Sequence, residues 1–278
     1  DATSLTVTKT WDDEGNAWAS RPGTASAGDA WSVTYALQRR VNGGQWRWLT
    51  SYGTNLTNPF DASGNLDSRL RTVTVGGTGD SASATFDALP LYTKGGGTYE
   101  YRAVELVRGS YDVDGGEVLA TSGASSLVVS SGASAACAYT NKLRTVSLCG
   151  TKTWNDWGAG IAAGLSPESC GIHLTLRRST DGGATWEDAL HADGSEESPT
   201  WSAAADGVWA YTFDGLPETD QQGRIYTYRA IETDGSVPGF FSDKSVSADG
   251  TAVDGSIANV ATRLTFDKVG DGTTGSAA

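Results

Sequence analysis

A lysine, a glutamate and an asparagine in the first half of the chain fall on faces of extended segments whose other residues are mostly apolar. Residues of equal parity share one face of a β-strand, so this count predicts that all three side chains point into a core. The three residues are Lys9 in segment 5–11, Glu105 in segment 99–105 and Asn141 in segment 137–143.

The second half of the chain repeats the same three residue types in the same order. The equivalent residues are Lys152 in segment 148–154, Glu232 in segment 226–232 and Asn259 in segment 257–261. Each half is therefore predicted to bury one amine, one carboxyl group and one carboxamide.

Burying such groups without compensation is costly, because a desolvated charge tends to neutralise instead. Burial lowers the pKa of a lysine towards the free amine, and it favours the neutral carboxylic acid, which can donate a proton. The amine can then attack the carboxamide carbon while the acid polarises its oxygen and passes protons to the departing ammonia. The pattern predicts an amide crosslink between the first and last strands of each half. The alternative is that Lys9 and Lys152 reach the surface or form ordinary ion pairs with Glu105 and Glu232.

An internal repeat supports the pairing of the two halves. Residues 85–105 and 212–232 align without a gap, and 11 of the 21 positions are identical. Short alternating runs rich in Val, Thr, Tyr and Trp lie between Gly, Asn and Asp turns, and no sustained helical periodicity occurs. We therefore predict an all-β chain of two tandem sandwiches, at 1–146 and 147–265, with an insertion in the first at about 46–80.

Composition and charge exclude several functional classes. The formal charge of −13 has the wrong sign for binding nucleic acid or anionic lipid, and no apolar run is long enough to insert into a membrane. The two histidines and three cysteines show no metal-ligand spacing, so we expect neither a metal nor another cofactor. No turnover active site can be assembled, and the pairing of the cysteines stays open.

Four motifs carry a resemblance to a known family. They are KTW at 9–11 and 152–154, TFxxLP at 85–90 and 212–217, YxYRAxE at 99–105 and 226–232, and YTN at 139–141. Together they resemble the Cna B-type domain of Gram-positive surface adhesins and pilins. The resemblance implies an inverse-Ig-like sandwich with a spontaneous isopeptide bond from a first-strand lysine to a last-strand asparagine, assisted by an acidic residue.

Carried over motif by motif, this implies one isopeptide bond in each half of the chain. The bonds would join Lys9 to Asn141 with Glu105 as acid and base, and Lys152 to Asn259 with Glu232 in that role. The second terminal motif, IANV at 257–260, departs from the family pattern because alanine replaces the threonine before the asparagine.

The expected function is a structural stalk segment of a cell-surface adhesin or pilus-like protein, extracellular and anchored to the cell wall through another part of the parent. We expect a monomer whose partners are neighbouring domains of a tandem array. Residues 266–278 are predicted to begin a truncated, disordered third domain. The alternative is a module that binds a host glycan or matrix protein through an aromatic surface in the insertion, formed by Trp46, Trp48 and Tyr52.

Overall fold

The structure is a computed structural model that describes residues 2–106, 111–114, 117–118, 135–205, 207–234, 239–242 and 256–261. Apart from one 3₁₀ turn at Ala162–Gly164, every regular element in these ranges is a β-strand. This confirms the predicted all-β class. No helix in the same ranges has the length and apolar character needed to cross a membrane.

The strands of the first half form two sheets. In chain order they are β1 Ala2–Asp12, β2 Trp31–Val41, β3 Arg47–Leu49, β4 Asn55–Leu56, β5 Thr72–Gly77, β6 Ser81–Pro90, β7 Tyr99–Glu105, β8 Tyr111–Asp114, β9 Glu117–Val118 and β10 Ala135–Leu143. One sheet has the order β6-β1-β10-β8, and the other has the order β4-β3-β2-β7-β9 with β5 also paired to β2. The strands β1 and β10 are parallel neighbours, with Trp11 opposite Asn141.

The strands of the second half also form two sheets. They are β11 Thr145–Asn155, β12 His173–Ser179, β13 Glu187–Asp188, β14 Thr200–Ala205, β15 Val208–Pro217, β16 Thr227–Asp234, β17 Phe240–Ser242 and β18 Ser256–Ala261. Their orders are β14-β15-β11-β18-β17 and β13-β12-β16. The strands β11 and β18 are parallel neighbours, with Trp154 opposite Asn259, so this pair repeats the relation of β1 to β10.

Alternation along β1 follows the predicted period of two. Leu5, Val7 and Lys9 have no exposed surface and Trp11 is 4% exposed, whereas the intervening threonines are partly exposed. Between Leu5 and Trp11, the inner face of β1 is therefore apolar except for Lys9.

The segment predicted to be an insertion, at about 46–80, contributes to the first core. It supplies β3, β4 and β5, which extend the sheet of β2. Trp48 packs in a cluster with Ala36, Leu70 and Val104, and is 8% exposed.

The loop after β1 is fixed by a buried arginine. The Arg21 side chain is 1% exposed and donates to Asp13 through Nε at 2.8 Å and Nη2 at 2.5 Å. Nη2 also lies 2.6 Å from Asp80, and the guanidinium lies 5.7 Å from the centre of the Trp11 ring. Because a buried guanidinium is tolerated only when it is paired, this network sets the path of the loop beside Trp11.

The chain divides into two compact units. The first consists of Asp1–Ser147, Arg178–Glu197 and Asp214–Tyr228, and the second of Leu148–Arg177, Ser198–Phe213 and Arg229–Ala278. The division into domains at 1–146 and 147–265 stays a prediction. The predicted third domain at 266–278 lies outside the described residues.

Candidate functional site

Three strands bring the first polar set together in the core of the first unit. Lys9 comes from β1, Glu105 from the end of β7 and Asn141 from β10, and their exposed fractions are 0%, 1% and 3%. The strand alternation predicted this inward orientation for each residue.

Glu105 contacts both of the other groups. Lys9 Nζ donates a hydrogen bond to Glu105 Oε2 at 3.3 Å, and Asn141 Nδ2 donates to Glu105 Oε1 at 2.8 Å. The carboxyl group thus lies between an amine and a carboxamide, with one oxygen on each.

Burial changes the acid–base behaviour of the amine. Desolvation is the largest effect and lowers the pKa of Lys9 to about 8, although the charges of Glu105 and Asp13 oppose it. Nζ also lies 4.2 Å from the centre of the Trp11 ring, a cation–π distance. The amine is still mostly protonated at neutral pH, but far more free amine is present than for an exposed lysine.

The carbonyl oxygen of Asn141 has an unusual environment. Oδ1 is buried, and none of the described residues donates a hydrogen bond to it. Buried polar atoms are nearly always paired, and an unpaired one costs about 1–3 kcal/mol. A neutral carboxylic acid beside this amide would supply the missing donor after a local rotation.

The second set is arranged in a similar way as far as it is described. Lys152 on β11 is fully buried, and its Nζ lies 3.1 Å from Glu232 Oε2 on β16 and 4.7 Å from the centre of the Trp154 ring. Burial lowers the pKa of Lys152, against the charge of Glu232. Asn259 has the backbone position on β18 that matches Asn141 on β10, and its side chain lies outside the described residues.

The burial of the two lysines excludes one alternative, namely that their side chains reach the surface. Lys9 and Lys152 do not reach the surface, because both are fully buried. Each does face a carboxylate, so an ion pair describes the contact before any reaction.

Sequence reasoning missed Tyr35, which is fully buried on β2 and donates from Oη to Glu105 Oε2 at 2.9 Å. A signal was present, because Tyr35 has the parity of the buried residues Val33 and Leu37. Glu105 could not be identified as its partner from sequence, because the contact depends on the register of β2 against β7. That register places Tyr35 directly opposite Glu105.

The three aromatic residues named as a candidate ligand surface have different environments. Trp48 is buried in the core, and Tyr52 is 82% exposed. The centre of the Trp46 ring lies 4.6 Å from the Arg40 guanidinium and 4.5 Å from the Arg102 guanidinium. These side chains do not present one continuous aromatic face.

The cysteines and the potential metal ligands are the remaining chemical groups of interest. Cys137, Cys149 and Cys170 are free thiols. Within the described ranges, no three His, Cys, Asp or Glu residues gather in an arrangement that could hold a metal ion.

Comparison with known proteins identifies the family of the second half. Residues 148–256 match the family model of the Cna protein B-type domain. This part of the chain is therefore a Cna B-type domain, as the motifs indicated. No curated protein matches the chain.

Solved structures with similarity to the chain include surface proteins and pilins. A single B repeat unit of the collagen-binding surface protein Cna of Staphylococcus aureus is 18% identical, with 95% of this chain and 100% of that chain covered and a TM-score of 0.28. The shaft pilin SpaA of Lactobacillus rhamnosus GG is 17% identical, with 96% and 100% covered and a TM-score of 0.33. The major pilin of Streptococcus pyogenes is 14% identical, with 94% and 97% covered and a TM-score of 0.33. Scores this low carry no argument about the arrangement of the whole chain.

The lowered pKa of Lys9 predicts a specific pH dependence in the variant Asn141→Ala, which keeps the lysine and removes the carboxamide. The folded pKa is about 8, and an unfolded lysine has a pKa of about 10.4. Between these values the unfolded chain binds more protons, so stability should rise with pH from about 8 to about 10. Urea unfolding of the first-unit transition at several pH values measures this slope.

The control is the double variant Lys9→Met with Asn141→Ala, in which other lysines and tyrosines still titrate. The rise should be absent or clearly smaller there. Equal slopes in the two variants would show that Lys9 does not have a lowered pKa.

Proposed function

We propose that this chain is a structural stalk segment of a bacterial surface adhesin or pilus-like protein, and that its sandwiches are closed by Lys–Asn isopeptide bonds. The observation that carries the proposal is the buried Glu105, which contacts the Lys9 amine through one oxygen and the Asn141 carboxamide through the other. The family match of residues 148–256 supports the structural role.

The reaction balances with the groups present. A proton moves from Lys9 Nζ to Glu105, which leaves a free amine and a neutral acid. The amine attacks Asn141 Cγ, and the acid protonates the carboxamide group, whose Nδ2 already lies 2.8 Å from Oε1. The Cγ–Nδ2 bond breaks, ammonia leaves, and Nζ stays bonded to Cγ as a neutral amide. The attacking nitrogen loses its second proton to Glu105, and this proton departs with the ammonia as ammonium, so Glu105 returns to the carboxylate. Lys9 and Asn141 are consumed in the bond, so each site reacts once and does not turn over.

The order of the strands explains how the bond would resist an applied force. It would join β1 to β10, which are already parallel neighbours, and would close the chain between residues 9 and 141. Tension that enters through β1 and leaves through β10 would then pass through the crosslink. By analogy with disulfides, closing a loop of this length removes denatured-state entropy worth about 5 kcal/mol.

The same role is proposed for Lys152, Glu232 and Asn259 in the second half. Support comes from the 3.1 Å contact of Lys152 with Glu232 and from the parallel pairing of β11 with β18. The proposed setting is extracellular, at the cell surface, in a tandem array anchored by another part of the parent protein. No specific observation favours the ligand-binding alternative.

Intact mass tests the chemistry. The wild-type chain should weigh about 17 Da less per bond than its sequence mass, since each bond expels one ammonia. Lys9→Ala and Glu105→Gln should each lose the deficit of the first site and keep that of the second. Lys142→Ala, which removes an exposed lysine next to Asn141 on β10, is the matched control and should keep both deficits. A wild-type mass equal to the sequence mass would refute the proposal.

Single-molecule pulling tests the mechanical role. In Lys9→Ala, unfolding of the first sandwich should release the segment between residues 9 and 141, a step of about 460 Å at full extension. The wild-type chain should lack this step, because the crosslink carries the load past the enclosed strands. The appearance of the full step in a wild-type chain whose bond is verified by mass would contradict the stalk mechanism.

A further inference from the structure

Two tyrosines complete the walls of the first site. Tyr35 on β2 lies opposite Glu105 on β7, and Tyr139 on β10 lies opposite Lys9 on β1. The tyrosine rings pack with centroids 5.0 Å apart, and Tyr139 Oη donates to the backbone oxygen of Ala103 at 2.7 Å. Tyr139 is therefore fixed to the backbone of β7, and its ring limits the movement of Tyr35.

We propose that Tyr35 is a positioning residue for the crosslinking reaction. Its hydroxyl holds the Glu105 carboxyl group so that Oε2 faces Lys9 while Oε1 faces Asn141. This inference rests on the function proposed above and adds a residue that neither the family match nor the motifs assign.

The need for such a residue follows from the torsional freedom of glutamate. The terminal torsion of a Glu side chain is broad, so one hydrogen bond to lysine does not set the plane of the carboxyl group. Tyr35 Oη approaches Oε2 at 2.9 Å, closer than Lys9 Nζ at 3.3 Å. Reacting groups must be held close to their productive geometry, and small misplacements are costly in rate. A hydroxyl on a packed, fully buried ring provides that constraint on Glu105.

The second half of the chain offers an internal comparison. Leu176 aligns with Leu37 in the repeat, so Leu174 is the counterpart of Tyr35, and the terminal motifs make Ile257 the counterpart of Tyr139. Both aliphatic residues are buried, at 1% and 3% exposed. The hydroxyl at this position is therefore particular to the first site.

The hydroxyl remains a donor over a wide pH range. Burial, followed by the charge of Glu105, raises the pKa of Tyr35. The titratable groups that face the hydrogen-bonded pair of Tyr35 and Glu105 are Lys9 from β1 and Tyr139 and Cys137 from β10. Asp13 acts in turn on Lys9. Loss of the Tyr35 donor would remove one hydrogen bond from the carboxyl group that exchanges a proton with Lys9.

The test follows bond formation in the full chain. Wild type and Tyr35→Phe are dissolved from inclusion bodies in denaturant and refolded by dilution at several pH values. Samples are quenched in acid, digested and analysed by mass spectrometry. The digestion separates the peptides of the two sites. Tyr35→Phe should slow the first bond about tenfold or more and leave the second unchanged. The pH dependence of its rate should also differ from that of the wild type, because Tyr35 donates to the carboxyl group that exchanges a proton with Lys9.

Tyr101→Phe is the matched control. It also removes a hydroxyl from a buried tyrosine, one that donates to the backbone oxygen of Pro90 at 2.5 Å rather than to Lys9, Glu105 or Asn141. The control should react at the wild-type rate with the wild-type pH profile.

Three other outcomes would contradict either the positioning role of Tyr35 or the proposed function. A Tyr35→Phe chain that reacts at the wild-type rate and profile overturns the positioning role. Equal slowing in both variants without a pH shift assigns the effect to packing and also overturns it. A wild-type chain that never loses ammonia at the first site refutes the proposed function itself, and Tyr35 then has no reaction to position.

Discussion

The buried contact of one carboxyl group with both an amine and a carboxamide is the interaction on which this account depends. Glu105 alone brings Lys9 and Asn141 to a common group in a core from which water is excluded. In water these groups would be an ordinary ion pair and an unreactive amide. In the core, desolvation lowers the pKa of the amine, and the carboxylate that accepts its hydrogen bond also contacts the carboxamide that must release ammonia.

This contact requires a particular fold. The lysine and the asparagine must lie on adjacent strands of one sheet, and the glutamate must face them from the other sheet. Parallel pairing of β1 with β10 provides the first condition, and the end of β7 provides the second. The sheets are covered by apolar side chains on their inner faces, so the polar set is enclosed by the same core that stabilises the sandwich. The loop fixed by Arg21 and Asp13 closes the region beside Trp11.

The inward orientation of Lys9, Glu105 and Asn141 could be predicted from sequence because strand alternation is local and the repeat supplied an independent copy. The role of Tyr35 could not, since it depends on which strand lies beside β7 and in what register. The buried position of Trp48 also depends on long-range contacts, with Leu70 and Val104 from distant parts of the chain. Periodicity describes one strand at a time, whereas partners across sheets are set by topology.

The central claim is that Lys9 and Asn141 become covalently joined, and fragmentation of the digested wild-type chain by tandem mass spectrometry tests it most directly. The account predicts a branched peptide in which Nζ of Lys9 is bonded to Cγ of Asn141, with the mass of one ammonia missing. Linear peptides that contain an unmodified Lys9 and an intact Asn141, recovered from folded protein, would contradict it.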